Sequence, residues 1–161
     1  MWYRRLRSAA YVNAVVWLIW TVAILLPFEP FSDLQPIMVG GGAGTWFLLG
    51  YVLFAAVGVG GFVSASSLVF VIETHERRNL SYPITLTGFI LMYVGTLIGC
   101  ILLGIAGASG GYTLVIQHST VNAAQNILSP YVNPITAASA IAVAGTGFTI
   151  YAMATAKATK P

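Results

Sequence analysis

Charged side chains are scarce in this sequence. Asp, Glu, Lys and Arg together make up 7% of its 161 residues, whereas an ordinary soluble domain has about a quarter of its residues charged. Hydrophobic residues make up 58%, so the chain has too few polar side chains to cover itself in water. The composition excludes a soluble domain and predicts an integral membrane protein.

Cysteine is nearly missing as well. Cys100 is the single thiol of the chain, and one thiol cannot form a disulfide within its own chain. This excludes quinone-coupled thiol chemistry, which depends on pairs of cysteines. Cys100 lies inside an apolar run, where we interpret it as a small packing residue.

Asp, Glu, Lys, Arg and His are missing from four apolar runs. These runs cover 8–27, 46–72, 83–106 and 134–156. Each is long enough to cross a bilayer as a helix, which takes about 20 residues. We predict an all-α fold, an integral membrane four-helix bundle that forms a single domain over 1–161.

The lack of ionisable side chains in the predicted spans also disfavours several functions. Ionisable groups within a membrane span are costly and usually serve proton relays, ion sites or voltage sensors. The polar side chains of the predicted spans are mostly hydroxyl groups such as Ser64, Thr96 and Thr146, which commonly bond to a carbonyl one helical turn back. A pathway for neutral solutes remains open.

The basic residues that are present predict the orientation. They are Arg4, Arg5 and Arg7 before the first span, Arg77 and Arg78 between the second and third, and Lys157 and Lys160 after the fourth. Because Lys and Arg favour short cytoplasmic segments, we expect both termini to be cytoplasmic, in a prokaryotic cell membrane. The net charge of +3 follows from this topology, so we expect no nucleic-acid partner.

Small residues recur at four-residue spacing in three of the runs. They are Gly60, Gly61 and Ser64 in the second, Gly95 and Gly99 in the third with Gly88 one heptad earlier, and Ala138 and Ala142 in the fourth. Lipid removes the usual hydrophobic drive between helices, so small residues that let backbones approach are expected at contacts. We predict that these residues pack helices together, within this chain or against a partner chain.

The segment VFVIETHERRNLSYP, 69–83, concentrates charged side chains between two apolar runs. Its HER begins like the zinc motif HExxH, but Asn79 stands where the second histidine would be needed. Glu73, His75 and Glu76 remain candidates for a metal site or a quinone-headgroup site. We favour a connecting turn and docking surface.

Two histidines are candidate cofactor ligands, His75 and His118. They lie in connections on opposite sides of the membrane, so one chain cannot place both on a single haem iron. We therefore expect no cofactor to be bound by this chain alone. Either histidine could still give one ligand to a cofactor shared with a neighbouring chain, and contact with lipid or quinone is possible.

A long uncharged segment, 107–133, separates the third and fourth predicted spans. We expect an external loop here, because Gly107, Gly110 and Gly111 should end the third helix. Ser119 or Thr120 can start a short interfacial helix that ends before Pro130. Such a loop should lie on the membrane surface or beneath another subunit.

The lack of reactive groups and the abundance of packing faces favour a non-catalytic accessory subunit of a larger membrane complex. We favour a respiratory complex of the terminal or quinol oxidase type, with other integral membrane subunits and lipids as partners. The alternative is a small oligomeric channel or transporter for a neutral solute. An enzyme that uses Glu73, His75 and Glu76 at the cytoplasmic interface is a third, less favoured hypothesis.

Overall fold

Four long helices make up most of the structure, a computed structural model that describes residues 1–158. All four are long and apolar enough to cross a membrane, as predicted: Trp2–Leu25, Gly44–His75, Tyr82–Ile116 and Val121–Ala154. We refer to them as the first to fourth long helices. The C-terminal residues 159–161, which include Lys160, lie outside the described part.

The long helices contain several elements. The first is α1 (Trp2–Leu25), and a short 3-10 turn (Phe31–Asp33) and α2 (Leu34–Val39) follow it. The second joins α3 (Gly44–Leu53), a π-helical segment (Phe54–Gly61), α4 (Phe62–Phe70) and a second π-helical segment (Val71–His75). The third consists of α5 (Tyr82–Gly111) and the π-helical segment Tyr112–Ile116, and the fourth is α6 (Val121–Ala154). Strands β1 (Arg78–Asn79) and β2 (Lys157–Ala158) pair antiparallel.

The predicted long loop over 107–133 is wrong. The third long helix continues through its glycines to Ile116, and α6 begins at Val121, so the connection is only residues 117–120. Thr120 caps α6 as expected, since its hydroxyl oxygen accepts the N–H of Ala123 at 3.3 Å. The helix then passes through Pro130 and Pro134 instead of ending. Rules for glycine and proline from soluble helices fail here, because helices suited to lipid tolerate both residues.

The glycines that were expected to end the third helix instead pack against the segment 37–47. A Cβ atom on Gly107 would overlap the backbone of Phe47, and one on Gly111 would lie 2.5 Å from the side chain of Ile37. The missing side chains therefore make room for α2 and α3. Ile37 is among the most deeply buried side chains of the protein.

Five of the predicted packing residues lie at the contact between α5 and α6, which is the most extensive helix contact. A Cβ atom on Gly95 would lie 2.5 Å from the backbone nitrogen of Ala142 and 2.7 Å from the carbonyl oxygen of Ala138. A Cβ atom on Gly88 would lie 2.7 Å from the hydroxyl oxygen of Thr149, and one on Gly99 would lie 3.6 Å from the Cβ of Ala138. Here the small residues let the two backbones approach directly.

Gly60, Gly61 and Ser64 show no close contact with another helix of the described chain, so their packing role stays a prediction for contact with a partner chain. A Cβ atom on either glycine would meet only atoms of its own helix, and Ser64 is exposed. The second long helix instead approaches its neighbours through Gly50 and Gly58. The repeat of Gly60, Gly61 and Ser64 therefore lies on a different face of the second long helix from the one that the other described helices contact.

The core lies at the end of the molecule where α1 begins and α6 ends. All four long helices contribute to it, and its most deeply buried members are Leu6, Phe62, Val69 and Ala152. Farther from this end, α6 packs chiefly on α5. A groove is left between the second and fourth long helices.

Candidate functional site

The three basic segments meet at one end of the helices. Strand pairing places Arg78 opposite Ala158 and Asn79 opposite Lys157, which joins the middle connection to the C-terminal segment. The ring of Trp2 lies 5.3 Å from that of Tyr82, which joins the N-terminal segment to the same place. We call this the basic end.

Glu73 has a structural contact that its sequence neighbours do not indicate. Its carboxylate oxygens accept the backbone N–H groups of Trp2 at 2.9 Å and Tyr3 at 3.4 Å. The first N–H groups of a helix have no partner within the helix, and Met1 offers no side-chain cap. Glu73 therefore caps α1 from the end of the second long helix, where the helix dipole also favours its negative charge.

The other two members of the proposed charged site do not join Glu73 in a metal-binding arrangement. His75 is exposed, and the Glu76 carboxylate lies 3.4 Å from the Arg78 guanidinium, with both side chains partly exposed. Among residues 1–158, no three side chains of His, Cys, Asp or Glu are grouped to hold a metal ion. The geometry thus offers no support for a metal site at Glu73, His75 and Glu76.

His118 lies at the opposite end of the third long helix from His75. That helix has 35 residues, so the two imidazoles are separated by about 50 Å at 1.5 Å per residue. His118 is exposed and has a φ of +51° in the connection before α6. The histidines of one chain therefore cannot ligate the same iron.

A buried polar residue between the first two long helices was missed. Asn13 is 2% exposed, and its Nδ2 donates to the carbonyl oxygen of Gly58 at 2.6 Å. Gly58 lies in the π-helical segment 54–61, where the wider turn alters the backbone bonding. Asn13 is the one Asn or Gln in the four predicted spans, which was the available signal. Its bond joins α1 to the second long helix.

The apolar groove lies between the second, third and fourth long helices and has a volume of about 550 Å³. Its walls carry large apolar side chains, among them Leu53, Val57 and Ile150. Small residues, among them Gly99, Ala142 and Gly147, also line it. A Cβ atom on Gly147 would meet no atom within 4 Å, so this part of α6 has free space beside it.

Hydroxyl groups add little polarity to the apolar groove. Thr146 donates to the carbonyl oxygen of Ala142 in its own helix at 3.0 Å. Thr96 is 5% exposed, and its oxygen has no hydrogen-bond partner among the described residues. The groove is therefore an apolar surface with isolated hydroxyls, and it suits hydrocarbon or another helix better than a hydrated solute.

Comparison with family models, with curated proteins and with solved structures finds no match to this chain.

Proposed function

We propose that this chain is a non-catalytic accessory subunit of a larger multi-subunit membrane complex, and that the apolar groove receives a transmembrane helix of a partner subunit. In this proposal the chain lies in a prokaryotic cell membrane with both termini cytoplasmic. Its partners are integral membrane subunits and lipids, and it binds no cofactor by itself. The observation that carries the proposal is the shape of the groove.

The groove has the form that membrane helices use for close contact. Small residues such as Gly99 and Gly147 leave room along its length, while Leu53, Val57 and Ile150 provide larger side chains at its walls. Helices in lipid associate by van der Waals packing at surfaces of this kind. A rigid partner helix would gain these contacts along several turns.

The host complex we propose is respiratory, of the terminal or quinol oxidase type. Such complexes commonly include small polytopic subunits beside a cofactor-bearing core. The apolar runs 8–27, 46–72, 83–106 and 134–156 carry no Asp, Glu, Lys, Arg or His that would perform chemistry of their own. A packing role beside that core requires none.

The first test is isolation of the protein from its native membrane in mild detergent, followed by native mass determination and a visible absorption spectrum. We expect the chain to migrate with larger subunits and with haem or copper absorption bands. A complex without these bands would overturn the respiratory assignment and retain the accessory role. A colourless homo-oligomer of this chain alone would overturn both, and solute flux in liposomes would then test the channel hypothesis.

A pair of variants tests the groove itself. Gly147→Phe places a ring in the groove, whereas Ala144→Phe places the same ring on an exposed part of α6 outside the groove lining. Overfilling a packed contact costs about 1–3 kcal/mol, so we expect roughly tenfold or greater loss of the partner from purified Gly147→Phe protein. Ala144→Phe should retain the partner. Equal retention by both variants would show that the partner binds elsewhere.

A further inference from the structure

A second groove lies at the basic end, between the start of α1 and the end of the second long helix. We call it the terminal groove, and its volume is about 340 Å³. Volumes of this size are typical of sites for small ligands. Its lining combines apolar, hydroxyl and cationic side chains: Tyr3, Arg7, Ser66, Ser67, Phe70 and Val71.

Two guanidinium groups lie beside the Tyr3 ring of the terminal groove. The guanidinium carbons of Arg4 and Arg7 are 5.9 Å and 5.8 Å from the ring centre. Arg4 Nε also donates to the Tyr3 hydroxyl at 3.2 Å. Neither arginine forms an ion pair with a carboxylate in the described part of the chain. The positive charge of both is therefore available to an anion.

The Glu73 carboxylate lies beside this site, because it contacts the backbone of Trp2 and Tyr3. Both of its oxygens accept N–H groups at the start of α1. The positive end of the helix dipole offsets its charge there. Glu73 thus fixes α1 beside the second long helix without forming an ion pair with Arg4 or Arg7 in the described part of the chain.

The apolar side of the terminal groove indicates which kind of anion fits. The side chains of Phe70 and Val71 are 45% and 43% exposed, and the Phe70 ring packs edge-on against Tyr3 at 5.1 Å. A free phosphate or other small anion would leave this surface uncovered. A phospholipid would place its phosphate at the arginines and a hydrocarbon chain on Phe70 and Val71.

We propose that the terminal groove binds one anionic phospholipid, with its phosphate at Arg4 and Arg7 and one acyl chain on Phe70 and Val71. Arginine is well suited to this task because its planar fork of donors matches phosphate oxygens. Basic pockets between helices are a recurring form of lipid-headgroup site. The site is separate from the apolar groove, and its occupancy does not depend on the accessory role.

Delipidated full-length protein in mild detergent can test this by native mass spectrometry. Phosphatidylglycerol is titrated, and phosphatidylcholine with the same acyl chains is titrated separately. We expect one phosphatidylglycerol to bind about tenfold more tightly than phosphatidylcholine, because the second headgroup carries no net charge. Equal affinity for the two lipids would overturn the proposal.

Charge variants locate the site. The double variant Arg4→Gln and Arg7→Gln should weaken phosphatidylglycerol binding about 25-fold, since each basic side chain near an anionic headgroup contributes about fivefold. The matched control is Arg78→Gln with Lys157→Gln, which removes the same charge at the same end outside the groove lining. The control should change affinity by less than about threefold. Equal losses in both double variants would indicate general attraction to the basic end and overturn the site.

A third variant tests the acyl-chain position without changing charge. Ser67 is exposed, and its hydroxyl donates only within its own helix, to the Val63 carbonyl oxygen at 3.0 Å. We therefore expect Ser67→Phe to leave the fold intact and to fill the terminal groove. We expect it to weaken phosphatidylglycerol binding about tenfold, in line with the cost of overfilling a contact. Unchanged affinity would show that the lipid chain does not occupy the groove.

Discussion

Glu73 lies in a charged segment whose motif favours metal or headgroup chemistry, yet its carboxylate is used to hold a helix terminus. Its hydrogen-bond partner Trp2 is 71 residues away in the chain, so no local pattern could identify the pairing. The sequence did show that the start of α1 lacks a capping side chain. Met1, Trp2 and Tyr3 supply no side-chain cap for α1, so the first N–H groups require an acceptor from elsewhere.

This role predicts unequal effects for the two glutamates of the segment. Glu73→Ala should lower the free energy of unfolding by about 1–2 kcal/mol, the usual cost of losing a helix cap in a partly buried position. Glu76→Ala should change it by less than about 1 kcal/mol, because the ion pair of Glu76 with Arg78 is exposed. Unfolding in mixed detergent micelles measures both. Equal effects would contradict the capping role.

The elements show where sequence patterns succeed and where they fail. Apolar length alone identified all four long helices, because a chain this poor in charge has few other ways to satisfy its backbone in lipid. Their ends were less predictable. Gly107 and Gly111 resemble loop residues in a one-dimensional pattern, and only the position of α3 shows that they are contact residues. Pro130 and Pro134 also failed as stop signals, since α6 continues through both of them.

The position of a glycine also decides how much its substitution disturbs a helix contact. Gly95→Leu would force a side chain into the backbone of α6 at Ala138 and Ala142, whereas Gly60→Leu would project from an exposed surface. We expect Gly95→Leu to destabilise the protein by about 3 kcal/mol or more, since the contact atoms are backbone and cannot move aside. Gly60→Leu should stay within about 1 kcal/mol of the parent, or gain stability from its better helix propensity.

The same micelle unfolding experiment separates these two variants. Similar losses would mean that the second long helix uses Gly60 in a contact that the single chain does not show. In that case the protein in micelles would also be an oligomer, and its mass would reveal it. The contrast between Gly95 and Gly60 therefore tests which of the recurring small residues serve this chain and which are left for a partner.

At the scale of the whole molecule, the distribution of basic residues was the most informative sequence pattern. The described basic segments, separated by up to about 150 residues of chain, meet at one end through strand pairing and ring contacts. The sequence could show that they alternate with apolar runs, and hence that they share a side. It could not show the Glu73 cap, the paired strands or the terminal groove, which depend on side chains that only the folded chain brings together.

The proposed orientation can be measured with single cysteines in a Cys100→Ala background. Gln117→Cys lies in the short connection before α6, and Ala158→Cys lies at the basic end. Because Lys and Arg favour the cytoplasmic side, a membrane-impermeant maleimide added to intact cells should label Gln117→Cys. It should label Ala158→Cys only after the membrane is permeabilised. The reversed pattern would place the basic end outside. Labelling of both cysteines in intact cells would contradict a membrane-crossing fourth long helix, because a single crossing between 117 and 158 requires the two to differ.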